Sequence, residues 1–260
     1  MSEFLPTLPT FAFFGSTGGC INACLALTLK AGYQCTARTR AQPPKLHDLL
    51  RKLEVPESAI ANNLVMIQGN ITDLATVQQA LSLHGRTVDM IISGIGGKFL
   101  FKSGFNATID NPTICQDATR TILEAARTCY PKPRFVVMSG TGIGATEKRD
   151  MPCLMKPMYN ILLKVPHADK EVMEKLVLAE LDRAPADRAF EDFMLVRPSF
   201  LTDGESDGMA KIRAGTESNP AVGYIISRSD VGLWLFESVV RKAGPGQNSP
   251  FWGQRVSITI

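Results

Sequence analysis

Four apolar residues, Phe11-Ala12-Phe13-Phe14, run without a break into Gly15-Ser16-Thr17-Gly18-Gly19-Cys20-Ile21, and this junction limits the possible folds more than any other feature. A buried strand that ends in a glycine cluster and turns straight into a helix is the opening of a βαβ unit that grips a diphosphate. The glycines permit a tight turn and a close backbone approach. The helix then aims its unpaired N–H groups and positive dipole end at the anion. Gly15, Ser16, Thr17, Gly18, Gly19, Cys20 and Ile21 are therefore the first expected ligands of a dinucleotide. One position departs from the usual spacing: Ile21 stands where a third glycine would let helix and strand pack closely, so a slightly displaced helix is expected. Taken alone, a glycine turn without a ligand is the competing reading.

The rest of the chain keeps the alternation. Strands are expected at Tyr33–Ala37, Leu64–Gln68, Val88–Ser93, Arg134–Met138 and Phe193–Val196. Helices are expected at Cys20–Ala31, Leu46–Leu53, Leu74–Leu83, Thr113–Cys129 and Pro166–Leu181. Strands that are apolar throughout, such as Val88–Ser93, are covered on both faces. The expected fold is α/β, a Rossmann-type, doubly wound parallel sheet. From Thr202 to Val222 the pattern dissolves, before a strand at Tyr224–Ser227, a helix at Asp230–Arg241 and a last strand at Val256–Ile260. A chain of 260 residues, 45% apolar and 20% charged, suits one undivided domain over 1–260. Its irregular C-terminal part would cover the substrate side, mainly through residues 140–165 and 198–228.

Charge and cysteine usage narrow the partners to a small-molecule substrate. A net charge of +3 is too small to suggest nucleic acid or an anionic membrane. Three histidines without a close His/Cys cluster leave little material for a metal site, so none is expected. Six cysteines with no paired spacing beyond Cys20/Cys24 read as reduced thiols of a cytoplasmic protein. Met1–Thr10 has no signal-peptide pattern, and no apolar run reaches membrane-spanning length. Oligomeric state does not follow from these residues.

Cofactor identity is read after the second strand. An Asp or Glu there would take the ribose diol of NAD; this chain has Thr36-Ala37-Arg38-Thr39-Arg40 instead. Guanidinium groups pair with a 2′-phosphate, whereas an acid repels it, so NADP(H) is the expected cofactor, held by Arg38, Thr39 and Arg40. Solvated surface arginines are the bland alternative. Asn70 and Ile71 after the third strand are expected near the adenine. Ser93, Gly94, Ile95 and Gly96 after the fourth should run under the ribose and nicotinamide.

These features together resemble the atypical short-chain dehydrogenases/reductases of the NmrA-like and flavin (biliverdin) reductase-like kind. The resemblance spans nearly the whole chain. It rests on Gly15–Ile21, Arg38, Ser139-Gly140-Thr141-Gly142, Arg197-Pro198-Ser199 and Asp230-Val231-Gly232. It implies reductases, tailoring oxidoreductases of polyketide pathways, or redox sensors that bind NADP without turnover. It further implies Lys170 on the nicotinamide ribose, Ser139 and Thr141 beside the nicotinamide, and Pro198, Ser199 and Phe200 as backbone contacts to it. Arg197 is assigned to structure. Ordinary members carry Tyr-x-x-x-Lys with Glu a turn on; aligning Lys170 and Glu174 with that pattern leaves Pro166 in the tyrosine's place. Tyr159 is no simple substitute, because Lys164 follows it by five residues, and it is expected to line the substrate pocket instead.

Without that tyrosine, a simple ketone lacks a positioned acid for its developing alkoxide. A conjugated or quinone-like acceptor can spread the charge and take its proton from water. Alternatively His167 or Ser139 donates. The expected activity is reduction of a small aromatic or conjugated molecule (quinone-, flavin- or polyketide-like). An NADP(H)-binding sensor without turnover, and a metabolite cyclase or isomerase on the same fold, remain as alternatives.

Overall fold

The structure, a computed structural model, describes residues 8–40, 42–101, 107–144, 148–244 and 246–260. Eight strands form the main sheet: β1 (Phe11–Phe14), β2 (Cys35–Thr39), β3 (Leu64–Gln68), β4 (Met90–Ser93), β5 (Arg134–Met138), β6 (Phe193–Pro198), β7 (Arg213–Thr216) and β8 (Gln254–Thr259). Their spatial order is β3-β2-β1-β4-β5-β6-β8-β7. The chain therefore reverses direction across the sheet between β1 and β4, the place where a doubly wound sheet opens a crevice at its carboxyl edge. Phe11 stands opposite Cys35 on one side and Met90 on the other, both pairings parallel.

Strand periodicity divides the core in two. Phe11 and Phe13 join Ile92, Val136, Met138 and Val196 under α1 (Gly19–Lys30), α2 (Pro43–Lys52) and α3 (Glu57–Asn63), with α8 (Arg228–Leu235) on the same face. Ala12 and Phe14 join Ile91, Phe135, Val137 and Leu195 on the other, under α4 (Leu74–Ala80), α5 (Ile114–Arg127) and α7 (Lys164–Ala179). Successive side chains of a strand point to opposite faces, so all four residues of β1 are buried, alternately on either side.

Three expectations need correction, and one stretch without an expectation takes a definite form. The sheet is not wholly parallel: β7, inside the segment expected to be irregular, runs antiparallel to β8. Thr202, the first residue of that segment, ends a short strand, Phe200–Thr202, that pairs with Ile225–Ser227 in a small parallel sheet. The helix expected over Leu74–Leu83 stops at Ala80, because His84 and Gly85 adopt positive φ (52° and 75°) and turn Ser82–Leu83 back on Arg86–Thr87. The proline-bounded stretch before α7 holds a 3₁₀ turn (Cys153–Met155) and a helix, α6 (Lys156–Leu162), with Pro157 in its first turn, where a missing N–H costs nothing.

Candidate functional site

A cavity of about 600 Å³ opens at the carboxyl edge of the sheet. One end is the turn between β1 and α1. Gly15 sits at φ +85°, and a Cβ there would lie 2.6 Å from the carbonyl oxygen of Gly94. The loops after β1 and β4 thus touch backbone to backbone, which only glycine at position 15 permits. The Ser16 hydroxyl donates to Phe13 O (3.1 Å), and Asn22 Nδ2 donates to Ser16 O (3.0 Å), latching the turn to the helix. Gly18, Gly19, Cys20 and Ile21 line the cavity; Gly15, Ser16 and Thr17 shape the turn behind it. Ile21 lies against the other loop: a Cβ on Gly94 would meet its Cγ1 at 2.3 Å. The missing third glycine is thereby matched by a glycine on the partner loop.

The second-strand arginines divide rather than pair. Arg38 is buried and its Nη2 donates to Gly69 O, while its Nε has no hydrogen-bond partner among the described residues. Burial, helped by Arg40, pushes Arg38 down to about 10. Arg40 is exposed. Thr39 is buried and its carbonyl accepts from Gly69 N (3.1 Å), and Ile71 is spent on the core beside Val77, so neither lines the cavity. Asn70 Oδ1 accepts from Thr72 N (3.3 Å), folding its own turn. Ser93 is buried at the end of β4 and does not line the cavity, whereas Gly94, Ile95 and Gly96 do.

At the other end, Ser139, Thr141, Lys170, Pro198, Ser199 and Phe200 line the same cavity. Asp169 explains how α7 is set: its carboxylate accepts from the first N–H groups of α5, Cys115 N (2.8 Å) and Gln116 N (3.0 Å). A carboxylate at a helix N-terminus is well placed to hold it. The next residue, Lys170, then donates from Nζ to Ser139 O (2.6 Å). It does not reach Glu174, which is buried and accepts from Ser139 Oγ and from Arg197 (Nε–Oε1 2.9 Å). Asp150 Oδ2 pairs with Arg197 on the far side (3.3 Å) and Asp150 Oδ1 accepts from Gly142 N (2.9 Å). The buried cluster Asp150–Arg197–Glu174 was not legible in the sequence.

This arrangement bears on two candidate proton donors. The Ser139 hydrogen is directed at Glu174, away from the cavity. His167 stacks edge-on against Tyr159, ring centroids 5.3 Å apart. Burial, with Lys170 and Arg197 as positive neighbours, pushes His167 down to about 4. It is therefore neutral at pH 7 and is not a cationic acid. The folded protein resists a proton that the unfolded chain accepts near pH 6.5. This group's share of stability is intact above about pH 6.5 and is lost as pH falls toward 4. Between about pH 8 and pH 5, His167→Phe is expected to spare roughly 2 kcal/mol of the loss that the parent protein suffers. Urea unfolding at both pH values measures it; a parent-minus-variant difference that ignores pH would refute the neutral imidazole.

Tyr159 reaches the same space from α6. Its ring is buried, its hydroxyl is 3.4 Å from Thr141 Oγ1, and burial raises its pKa, so the phenol stays protonated at neutral pH. Ile109, Leu162, Leu163 and Pro166 give the cavity an apolar wall, and no acidic side chain is among its described lining residues. Residues 145–147 of the expected substrate side lie outside the described residues. Among those described, no His, Cys, Asp and Glu side chains cluster as a metal site requires, and no helix is long and apolar enough to cross a membrane.

Comparison with known proteins gives a consistent set of relatives. The family described as NAD(P)H-binding matches residues 15–242. The chain is 49% identical to the protein named reductase pytE of Aspergillus terreus, over 96% of this chain and 98% of that one. It is 38% identical to oxidase pynE of Aspergillus niger, over 91% and 94%. Among solved structures, a short-chain dehydrogenase/reductase from Veillonella parvula in complex with NADP aligns with a TM-score of 0.65 at 14% identity, covering 98% of this chain and 95% of that one. Yeast methylglyoxal/isovaleraldehyde reductase complexed with NADPH aligns with a TM-score of 0.61 at 14% identity, covering 95% and 77%. The structural likenesses establish the Rossmann-like fold.

Proposed function

The chain belongs to the NAD(P)H-binding family, and on that footing we propose that it is an NADPH-dependent reductase of a small aromatic or conjugated substrate. One observation carries the reading: a single acid-free cavity joins the glycine turn to an apolar wall bearing the Tyr159 and Thr141 hydroxyls. The residues fit the dinucleotide. The turn offers a close backbone approach, and the buried Arg38 keeps an unmatched donor that an anion would satisfy. NADPH, when bound, supplies a hydride.

The protein's part is positioning. Gly18–Ile21 and the α1 N-terminus hold the diphosphate. Lys170, fixed by Ser139 O, holds the ribose hydroxyls. Pro198–Phe200 and Gly94–Gly96 confine the nicotinamide. Ile109, Leu162 and Leu163 exclude water from one face of the substrate, and described residues 140–144, 148–165 and 198–228 form its side of the site. Tyr159 Oη keeps its proton and donates a hydrogen bond to a substrate oxygen. Ser139 and His167 are not poised to donate, which supports a conjugated acceptor whose charge delocalises over one whose alkoxide needs a strong acid. The two relatives' names, a reductase and an oxidase, support redox chemistry here.

Anaerobic mixing with NADPH and a panel of quinones, flavins and conjugated ketones is expected to oxidise the cofactor and add two hydrogens to the product. Cofactor binding without turnover on any acceptor would point to a sensor. A product of unchanged mass would point to rearrangement. Either result sinks the reductase reading.

A further inference from the structure

We propose that Arg228 clamps the diphosphate of the dinucleotide, reaching over the glycine turn from the start of α8. The inference rests on the NADPH reading above, and it concerns a residue that the glycine pattern does not include. A Cβ on Gly19 would lie 2.6 Å from Arg228 Cδ and 3.1 Å from Arg228 Cβ, so the arginine stem lies directly on the turn. The packing beneath explains why. A Cβ on Gly232 would lie 2.4 Å from Ala23 Cβ and 2.9 Å from Cys20 O, so α8 rests against the first turns of α1 and brings its own first residue beside them.

The segment before α8 fixes that start. Ser227 Oγ accepts from Asp230 N (2.9 Å), and the Asp230 carboxylate accepts from Ser206 Oγ (2.5 Å) and Gly208 N (3.2 Å). Ser229 Oγ donates to Gly204 O (2.8 Å). Among the described residues the guanidinium meets one partner, Asp203, with Nη1 2.8 Å from Oδ1, and the Asp203 side chain is 92% exposed. Such an exposed pair is weak and screened, and a guanidinium has five N–H donors in a planar fork. It can hold Asp203 with one edge and a phosphate with the other. Arg228 and Lys170 are the only cations lining the cavity among the described residues, and Lys170 is occupied at the far end by Ser139 O. Arg228 also dominates the charges felt by Cys20 at the helix start, followed by Lys170, both opposing the rise that burial imposes on the thiol.

NADPH and NADH share the diphosphate and differ in the 2′-phosphate, which separates this role from that of Arg38. Titration by the fluorescence of the bound dinucleotide is expected to show that Arg228→Gln weakens both by a similar factor, roughly tenfold, the worth of one charge-assisted bond. Binding of 2′-AMP, which lacks a diphosphate, is expected to be unchanged. Arg228→Lys keeps the charge without the fork and should lose about threefold. Arg241→Gln removes one charge away from the cavity and should bind like the parent. Parent-like dinucleotide affinity in Arg228→Gln, a loss confined to NADPH, or an equal loss in Arg241→Gln overturns the clamp. A parent protein that binds neither dinucleotide overturns the cofactor reading as well. Melting of the ligand-free variants guards against misfolding; if Arg228→Gln melts early, Arg228→Lys decides.

Discussion

Glu174→Ala is expected to cost about 3–5 kcal/mol of folding stability, the usual penalty for removing one member of a buried ion pair. Glu174 lies between β5 and β6 and binds three partners: Ser139 Oγ, the Arg197 guanidinium and, more distantly, Arg255 Nε at 3.6 Å. Its loss leaves Arg197 buried with Asp150 alone and the Ser139 hydroxyl unmatched. Against a total of about 5–15 kcal/mol for an ordinary domain, that is a large share. Urea unfolding measures it, and a loss under about 1 kcal/mol would refute the cluster's role. The double variant Glu174→Met with Arg197→Met should recover much of the loss, since an apolar pair of similar volume replaces a buried pair at little cost. Function should suffer separately. Ser139 O is the seat of the Lys170 ammonium, so a loosened Ser139 weakens the hold on the ribose.

Residues near one another in sequence gave up their roles readily. Phe11–Phe14 matched its strand residue for residue, since a fully apolar tetrad before a glycine turn leaves little freedom. Other boundaries drifted. Tyr33 reads as strand but lies outside it, packing edge-on against Phe11, while Arg38 and Thr39, polar residues at the crevice, continue it. β7 had no alternation to betray it: Arg213-Ala214-Gly215-Thr216 is ordered by pairing with β8, far along the chain. Pro152 and Pro157 bound a stretch with no helical period to read, yet Pro157 sits in the first turn of a helix, where the backbone needs no donor, as Pro166 does at the start of the helix expected there.

Contacts across long separations were hidden from the sequence in a stricter sense. Nothing local in Asp150, Glu174 or Arg197 tells which carboxylate meets which guanidinium, so the direction of the Ser139 hydrogen could not be read either. Tyr159 lines the cavity, but its approach to Thr141 depends on α6, which the prolines concealed. Arg228, between two serines at the start of α8, belongs to no glycine or phosphate pattern in the sequence. The signal was nearby: Gly232 one turn on, in a helix facing α1, marks a close approach of backbones.

Gly15→Ala tests the junction on which the cofactor site depends, and it is expected to lower NADPH affinity at least about a hundredfold. Two effects combine. At φ +85° a side chain costs roughly 1–2 kcal/mol. The new Cβ would also lie 2.6 Å from Gly94 O, 2.8 Å from Gly94 C and 3.1 Å from Ile95 N, all backbone atoms that no rotamer change can move. The two loops must therefore part, carrying Gly18–Ile21 and Gly94–Gly96 away from the shared cavity from opposite sides. A factor of a hundred corresponds to about 2.8 kcal/mol, which a shift of the diphosphate seat away from its donors readily supplies. The sheet itself should survive, because the residues of β1 before the turn stay packed in both cores. The measurement is a dinucleotide titration beside a melt of the ligand-free protein. A variant that stays folded and binds NADPH within about threefold of the parent would show that this turn does not carry the diphosphate.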